Sequence, residues 1–281
     1  MTEFRINASE VAALVGKNPY KKQEEAITDC WNRNKNGLPP QESLRAQRVC
    51  AKNKDVDKAY NQMLSDIKST ESSDEVIQKK KEFSENIKKI VVGKVDDEIS
   101  NTKNTFENDI ANARTRDAKK KLEEDFSVKI EKLNHKKTQA REDAANVERD
   151  AISKFNTNYG TRKENMVASS YEEITGMNIE KPNKRYIWDI LPGFKVVGKF
   201  DGFAEDGTLV EIKNRVRRLF GVVKEYESVQ VHVYMKMCDA SNAHLVEKFK
   251  DQLMVHEVHY DDDLMCDIEG ELERVIKNNF C

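Results

Sequence analysis

The chain has 281 residues, of which 38% are hydrophobic and 35% are charged, and its formal net charge is −2. These values predict one compact core of modest size and exclude a protein that binds nucleic acid through bulk positive charge. The five cysteines form no CxxC pair, which favours a reducing compartment and argues against a zinc or iron–sulfur site. The chain shows no long apolar run and no signal-peptide pattern, so we expect a soluble, intracellular protein.

Residues 1–41 predict a helical N-terminal part. Ser9 precedes a short apolar run and can serve as the N-cap of a helix that ends at Gly16. A turn around Pro19 follows, and a second helix stops near residues 36–40.

Residues 42–157 differ in composition, with no proline, one glycine and dense charge around a thin apolar stripe. Apolar steps of three and four predict an antiparallel helical hairpin that turns at Ser100–Thr105 and breaks at Ser69–Asp74. An arm of about 50 residues would span ~75 Å. The arm is either a solvated spacer or a docking arm for another copy, a recombination partner or duplex DNA, and its mixed charge favours a protein contact.

Residues 158–281 predict an α/β core in which helices flank a mixed central sheet. A helix over 158–177 precedes a strand at 185–189 and a pair of strands around a tight turn. A helix around Gln230, two further strands and a closing helix over 271–280 complete the predicted core.

The pair of strands contains the most informative residues. A three-residue loop at 205–207 would place Asp201 directly opposite Glu211, whereas a two-residue Asp-Gly turn would turn Asp201 to the other face. Two carboxylates roughly 5 Å apart repel unless a proton or a cation lies between them. Mg²⁺ suits such oxygen ligands, and Lys213 on the same face could orient or deprotonate a water or stabilise charge on a phosphate. A solvated hairpin with a surface ion pair would explain the same spacing.

This hairpin and three further segments, in this order along the chain, resemble the PD-(D/E)XK nuclease superfamily, and more narrowly its YqaJ-like viral recombinase and lambda-exonuclease group. The other segments are Ile6–Tyr20, Tyr159–Gly176 and Tyr226–Met235. The resemblance implies an exonuclease that degrades double-stranded DNA from an end, 5′ to 3′, in viral or phage recombination, replication or repair. It also implies two Mg²⁺ ions during catalysis, with Mn²⁺ as a substitute. The implied partners are DNA ends, a single-strand annealing protein and further copies in a ring-shaped trimer.

Two other functions fit the same residues. One is a structure-specific or nicking endonuclease on the same core. The other is a non-catalytic DNA-binding scaffold whose helical arm recruits a partner.

The hairpin supplies the predicted metal ligands, which are Asp201, Glu211 and the backbone carbonyl of Ile212. Lys213 is predicted to activate water. The resemblance alone adds Glu164 and Gln230, which would order the outer ligands of the metal.

The predicted DNA contacts lie at both ends of the core. The resemblance assigns Ser9 to the 5′ phosphate, with Arg5 and Lys17 as further candidates. Four hydrogen-bond donors follow Lys213 and suit phosphate oxygens, although a basic loop that balances nearby acids would look the same. They are Asn214, Arg215, Arg217 and Arg218.

Overall fold

The computed structural model describes residues 3–281, which form two compact units. The first unit contains the chain up to Gln41, the short stretch Ser72–Asp74 and Tyr159–Cys281. The second contains Glu42–Glu71 and Glu75–Asn158. None of the helices in the described part of the chain combines the length and the apolarity that a bilayer crossing requires.

Nine α-helices occur within residues 3–281. In chain order they are α1 (Val11–Leu14), α2 (Gln23–Asn36), α3 (Gln41–Lys52), α4 (Lys54–Ser65), α5 (Ser73–Lys88), α6 (Lys94–Asn112), α7 (Arg116–Thr175), α8 (Glu225–Cys238) and α9 (Asp262–Asn279). Short 3₁₀ turns occur at Ala8–Glu10 and Asp66–Ser69, and a π-helical turn joins α5 to α6 at Lys89–Gly93.

The strands of the first unit form two mixed sheets. They are β1 (Phe4–Asn7), β2 (Ile179–Glu180), β3 (Tyr186–Leu191), β4 (Phe194–Gly198), β5 (Gly202–Ala204), β6 (Leu209–Asn214), β7 (Asn242–Phe249) and β8 (Gln252–His259). One sheet has the order β1-β4-β3 and the other β2-β5-β6-β7-β8. The pairs β1–β4 and β6–β7 are parallel, and the remaining pairs are antiparallel.

The predicted α/β class is therefore confirmed, but the single central sheet is divided in two. The division falls at residues 199–201, where the chain leaves β4 and enters β5. The last two predicted strands are present as β7 and β8. The closing helix begins at Asp262 rather than at 271, because the Asp261 side chain accepts a hydrogen bond from the Leu264 amide and caps it.

Helix α8 is buried on most of its surface because it packs against α1, α9, β3 and β7. Its buried apolar residues are Val229, Val231, Val233, Tyr234, Met235 and Met237. Strand β6 lies inside its sheet between β5 and β7, so its side chains are buried on both faces from Leu209 to Ile212. A charged residue on this strand is consequently withdrawn from water.

The N-terminal turn is capped by a different residue from the one predicted. Asn7, and not Ser9, is the N-cap, and the backbone amide of Asn7 donates to the Glu10 carboxylate at 3.4 Å. Ser9 lies inside the turn and is exposed. Gly16 follows α1 with a φ of 72°, a left-handed conformation that favours glycine.

In the second unit, α6 and α7 run antiparallel. Phe106 stacks on Phe126 with ring centroids 4.1 Å apart, and nearer the start of α6 the Glu98 carboxylate accepts from Lys136 at 2.7 Å. The predicted helical hairpin is present, with its break after Ser69 as expected.

The predicted turn at Ser100–Thr105 is wrong, because the chain reverses at residues 113–115. The hydroxyls of Thr102 and Thr105 each donate to a carbonyl four residues earlier, both at 2.8 Å. These polar side chains are therefore satisfied within α6 and do not end it.

The π-helical turn before α6 keeps the apolar stripe in register. Ile87 and Val95 are both buried although they are eight residues apart, one more than two turns of an α-helix accommodate. A π-helical turn contains the additional residue and returns Val95 to the buried side.

Asp150 joins three helices of the second unit. Its buried carboxylate accepts from Ser43 Oγ on α3 and Tyr60 OH on α4, each at 2.5 Å, and from Lys154 Nζ at 2.9 Å. These three donors satisfy a charge that would otherwise be strongly unfavourable at this depth.

We predict that Gly198→Ala destabilises the first unit by about 1–3 kcal/mol, since an added Cβ would lie 2.7 Å from the Tyr234 ring and 2.8 Å from Ala8 Cβ. Gly270→Ala is the matched control, because a Cβ there meets nothing within 4 Å. On helix α9 this control substitution should stabilise by about 0.5–1 kcal/mol. Urea unfolding monitored by tryptophan fluorescence measures both variants, and equal effects of the two would contradict the packing described for Gly198.

Candidate active site

The hairpin between β5 and β6 has the predicted register. It pairs Gly202 with Val210, and one step further along, the same register places Asp201 opposite Glu211. The loop at 205–207 contains three residues, and its glycine has a φ of 85°. The three-residue loop predicted from the sequence is confirmed, and it brings the two carboxylates to one face.

Both carboxylates are withdrawn from water. Glu211 is only 5% exposed, and Asp201 Oδ2 accepts the backbone amide of Ile212 at 2.6 Å. Burial raises the pKa of Asp201 to about 6. Burial, with a further contribution from the charge of Asp201, raises the pKa of Glu211 to about 7. Two acids with raised pKa values on neighbouring strands are typical of a site built to hold a cation.

Lys213 and Gln230 form a closed set of hydrogen bonds with Glu211. Lys213 Nζ donates to Glu211 Oε1 at 2.8 Å and to Gln230 Oε1 at 2.9 Å. Gln230 Nε2 donates to Glu211 Oε1 and to the Tyr234 hydroxyl, both at 3.1 Å. Helix α8 thereby fixes the lysine that β6 presents.

Lys213 is held in its charged form. Burial alone would lower the pKa of Lys213, but the charge of Glu211 and the hydrogen bond to it outweigh burial, and the pKa is raised. A protonated amine cannot take a proton from water. The geometry therefore favours a lysine that orients groups and stabilises negative charge over one that acts as a base.

Glu164, near the C-terminal end of α7, is electrostatically coupled to the same site. Burial raises the pKa of Glu164, and the charge of Glu211 adds to the rise. Val167, Ala168 and Tyr171 are buried on the following turns of the helix. The charge of Glu164 in turn raises the pKa of Asp201, so this carboxyl group is close enough to influence both predicted metal ligands.

The oxygen atoms present fit a divalent ion with retained water. Glu211 accepts both of its hydrogen bonds at Oε1, and Asp201 accepts its hydrogen bond at Oδ2. Among residues 3–281, the other oxygens, Glu211 Oε2 and Asp201 Oδ1, therefore have no hydrogen-bond partner. Neither oxygen is fully buried, so both are open to a ligand. Within the same residues no three His, Cys, Asp or Glu side chains are grouped closely enough to hold a metal. Two carboxylates and the Ile212 carbonyl would leave several positions to water, which is the coordination that Mg²⁺ prefers.

A cavity of about 220 Å³ adjoins these residues through Tyr234. Its polar lining contains Ser9, Arg185 and Lys199. Of the three residues predicted to bind a terminal phosphate, the structure thus places Ser9 here. Sequence reasoning missed Arg185, Lys199 and Tyr234, although Lys199 stands only two residues before Asp201.

The other two candidates lie elsewhere. The Arg5 guanidinium is exposed and lies 3.7 Å from Glu3, outside the cavity. Lys17 Nζ donates to Glu225 at 3.2 Å at the start of α8. The structure does not bring either residue together with Ser9.

The four donors after Lys213 have different surroundings. Asn214 Nδ2 is buried and has no hydrogen-bond partner among the described residues. Arg217 and Arg218 are exposed on the loop that follows β6. Their role in DNA binding stays a prediction.

Arg215 is committed to buried partners instead. It donates to Glu227 at 2.7 and 3.0 Å and, through Nε, to Glu247 at 2.6 Å. Both carboxylates are almost fully buried. Glu247 also accepts the backbone amides of Phe220 and Gly221 and so holds the loop after β6. Arg215 therefore has a structural role in the core. Sequence reasoning missed both of its partners, Glu227 and Glu247.

Comparisons with known proteins gave similarities in structure only. No family model matches the chain, and no curated protein matches it in sequence. An alkaline exonuclease (LHK-Exo) from Laribacter hongkongensis is similar, with 20% identity, a TM-score of 0.38, and coverage of 43% of this chain and 67% of that one. A phage-related exonuclease from Haemophilus somnus 129PT has 13% identity, a TM-score of 0.36 and coverage of 43% and 69%. SSO0001 has 20% identity, a TM-score of 0.36 and coverage of 46% and 64%.

Two of these three structures are named as exonucleases. The chain spans about two thirds of the length of the structures to which it is similar. With TM-scores below 0.5 the similarity is partial, and the functional proposal depends on the side chains of this chain.

We predict that Glu211→Gln gains stability relative to the wild type as the pH rises from about 4.5 to about 7 in EDTA. Below pH 4.5 Glu211 is protonated in both the folded and the unfolded state. As the pH rises, the unfolded carboxyl ionises at its ordinary pKa of 4.5, while burial holds the folded one protonated up to about 7, so the wild type loses stability. The substitution removes this loss.

Urea unfolding between pH 4 and 8 measures the difference. Glu173→Gln on the exposed side of α7 is the control and should follow the wild type at every pH. A constant difference between Glu211→Gln and the wild type over this range would show that Glu211 ionises freely.

Proposed function

We propose that this protein is a metal-dependent deoxyribonuclease that hydrolyses phosphodiester bonds. The observation that supports this function is the pair of carboxylates at the half-buried Asp201 and the buried Glu211, each with one open oxygen, beside a charged Lys213 fixed by Gln230. Such a site attracts a divalent cation and, once the cation is bound, an anionic substrate.

Mg²⁺, or Mn²⁺ in its place, would be held by Asp201, Glu211 and the carbonyl of Ile212. When bound, it would polarise a phosphoryl oxygen and lower the pKa of water, and two ions could share this work. Lys213 would donate to a non-bridging phosphate oxygen as negative charge increases there. Glu164 would accept a hydrogen bond from the attacking water, a role that suits a carboxyl group whose pKa is raised.

The neighbouring cavity supports digestion from an end. A hydroxyl at Ser9 and cations at Arg185 and Lys199 are the chemistry that binds the oxygens of a terminal phosphate. We therefore propose an exonuclease that starts at a 5′ end of double-stranded DNA and proceeds 5′ to 3′, serving recombination or repair. The ring-shaped trimer, the annealing-protein partner and the viral setting stay predictions of the sequence resemblance.

We predict that Lys213→Ala lowers the rate of Mg²⁺-dependent DNA cleavage by about 10²–10³-fold, because it removes a fixed donor from the place where charge develops. DNA affinity in EDTA should change little, since most phosphate contacts lie elsewhere. Lys277→Ala, an exposed lysine on α9, is the control and should cleave at the wild-type rate. Wild-type cleavage by Lys213→Ala would remove the proposed mechanism.

We also predict that the wild type digests a linear duplex with a 5′ phosphate faster than one with a 5′ hydroxyl, and that Lys199→Ala reduces this preference. Duplexes labelled at either end, resolved by strand, measure both effects. Covalently closed circular DNA should stay intact. Opening of the circle would identify an endonuclease, and release of nucleotides from the 3′ end would reverse the proposed polarity.

A further inference from the structure

Another cavity, of about 300 Å³, is lined by two short segments of the first unit, Gly16–Tyr20 and Lys224–Tyr226. We call it the tyrosine cavity. Tyr20 is 77% exposed, which is unusual for an aromatic side chain in a folded core. Its ring meets Tyr226 edge-on, with centroids 5.6 Å apart and an angle of 83°. One broad face of the Tyr20 ring is therefore left without a partner from the tyrosine pair.

Each of the two tyrosines makes a hydrogen bond to a neighbouring residue. Asn18 Oδ1 accepts the Tyr20 amide at 2.8 Å, which fixes the turn that presents the ring. The Tyr226 hydroxyl donates to Glu227 at 3.2 Å, and Glu227 is in turn bound by Arg215. The buried ion pairs beside Lys213 thus also support one wall of this cavity.

The charge around the rings is positive. Lys17 and Lys224 line the cavity, and the one acid in the lining is Glu225, which Lys17 already pairs at 3.2 Å. The exposed Arg217 and Arg218 lie on the loop that leads into Lys224. The lining therefore combines one exposed aromatic ring with two lysines and one acid. This combination complements a nucleotide, which has a flat base and a negative phosphate.

We propose that the tyrosine cavity binds an unpaired nucleotide of DNA, with its base stacked on Tyr20 and its phosphate beside Lys17 and Lys224. An unpaired base is required, because the bases inside a duplex already stack on their neighbours. Helix α8 begins at this cavity and reaches Gln230 within about 9 Å of helical rise. If the proposed nuclease function is correct, the cavity would hold one strand of an opened end close to the cleavage site.

The test uses the full chain in EDTA, so that binding is measured without cleavage. The probe is a single-stranded oligonucleotide that contains 2-aminopurine, whose fluorescence is quenched when it stacks on an aromatic ring. The variants are Tyr20→Ala, Tyr20→Phe, which retains the ring, and Ile174→Ala, which changes another exposed apolar residue, on α7. Circular dichroism checks that each variant is folded.

Tyr20→Ala should bind the oligonucleotide about 5- to 100-fold more weakly and lose the quenching, as expected for the loss of one stacked base. Tyr20→Phe and Ile174→Ala should behave like the wild type. Unchanged binding by Tyr20→Ala, or no binding by the wild type, would overturn the proposal. An equal loss in Tyr20→Phe would also overturn it, because stacking does not need the hydroxyl.

Failure of the proposed function would look different. A wild type that binds and quenches the oligonucleotide through Tyr20 but cleaves no DNA with Mg²⁺ would keep the tyrosine cavity and remove the nuclease.

Discussion

The site depends on the removal of two like charges from water. Strand β6 is buried on both faces, so Glu211 is only 5% exposed, and the three-residue loop places Asp201 opposite it. Burial raises the pKa of both carboxyls, and one protonated lysine, Lys213, compensates only part of their charge once both ionise. With Glu164 nearby, the local charge stays negative, which is the reason we propose a divalent cation as the partner of this arrangement.

A second group of buried charges, centred on Arg215, lies beside the carboxylates. Arg215 lies between Glu227 on α8 and Glu247 on β7, and so ties a helix and two strands together beside the carboxylates. Removing one partner of such a buried pair is expected to destabilise the folded protein by about 3–5 kcal/mol, because the remaining charge is buried without a partner. Gln230 stands one turn beyond Glu227 on the same helix, so its position relative to Lys213 depends on this arginine.

A feature could be predicted from the sequence when the residues that determine it are close together along the chain. The register of Asp201 and Glu211 depends on a glycine with a left-handed conformation six residues from the first acid, and local chemistry left two registers, of which the structure has the one with the three-residue loop. The partners of Arg215 lie 12 and 32 residues away, and nothing in its neighbourhood distinguishes it from the exposed Arg217. The turn of the helical hairpin was misplaced for a related reason, because polar residues that look like a turn can be satisfied within a helix.

The most direct test of the central claim is a calorimetric titration of the purified protein with Mn²⁺ at pH 8, without DNA. The account predicts that the wild type binds the ion and that Asp201→Asn and Glu211→Gln each lose most of the affinity, because each removes one charged oxygen ligand. Asp251→Asn, an exposed residue between β7 and β8, should bind as the wild type does. Equal affinity in all four proteins would show that the ion binds elsewhere and would contradict the proposed site.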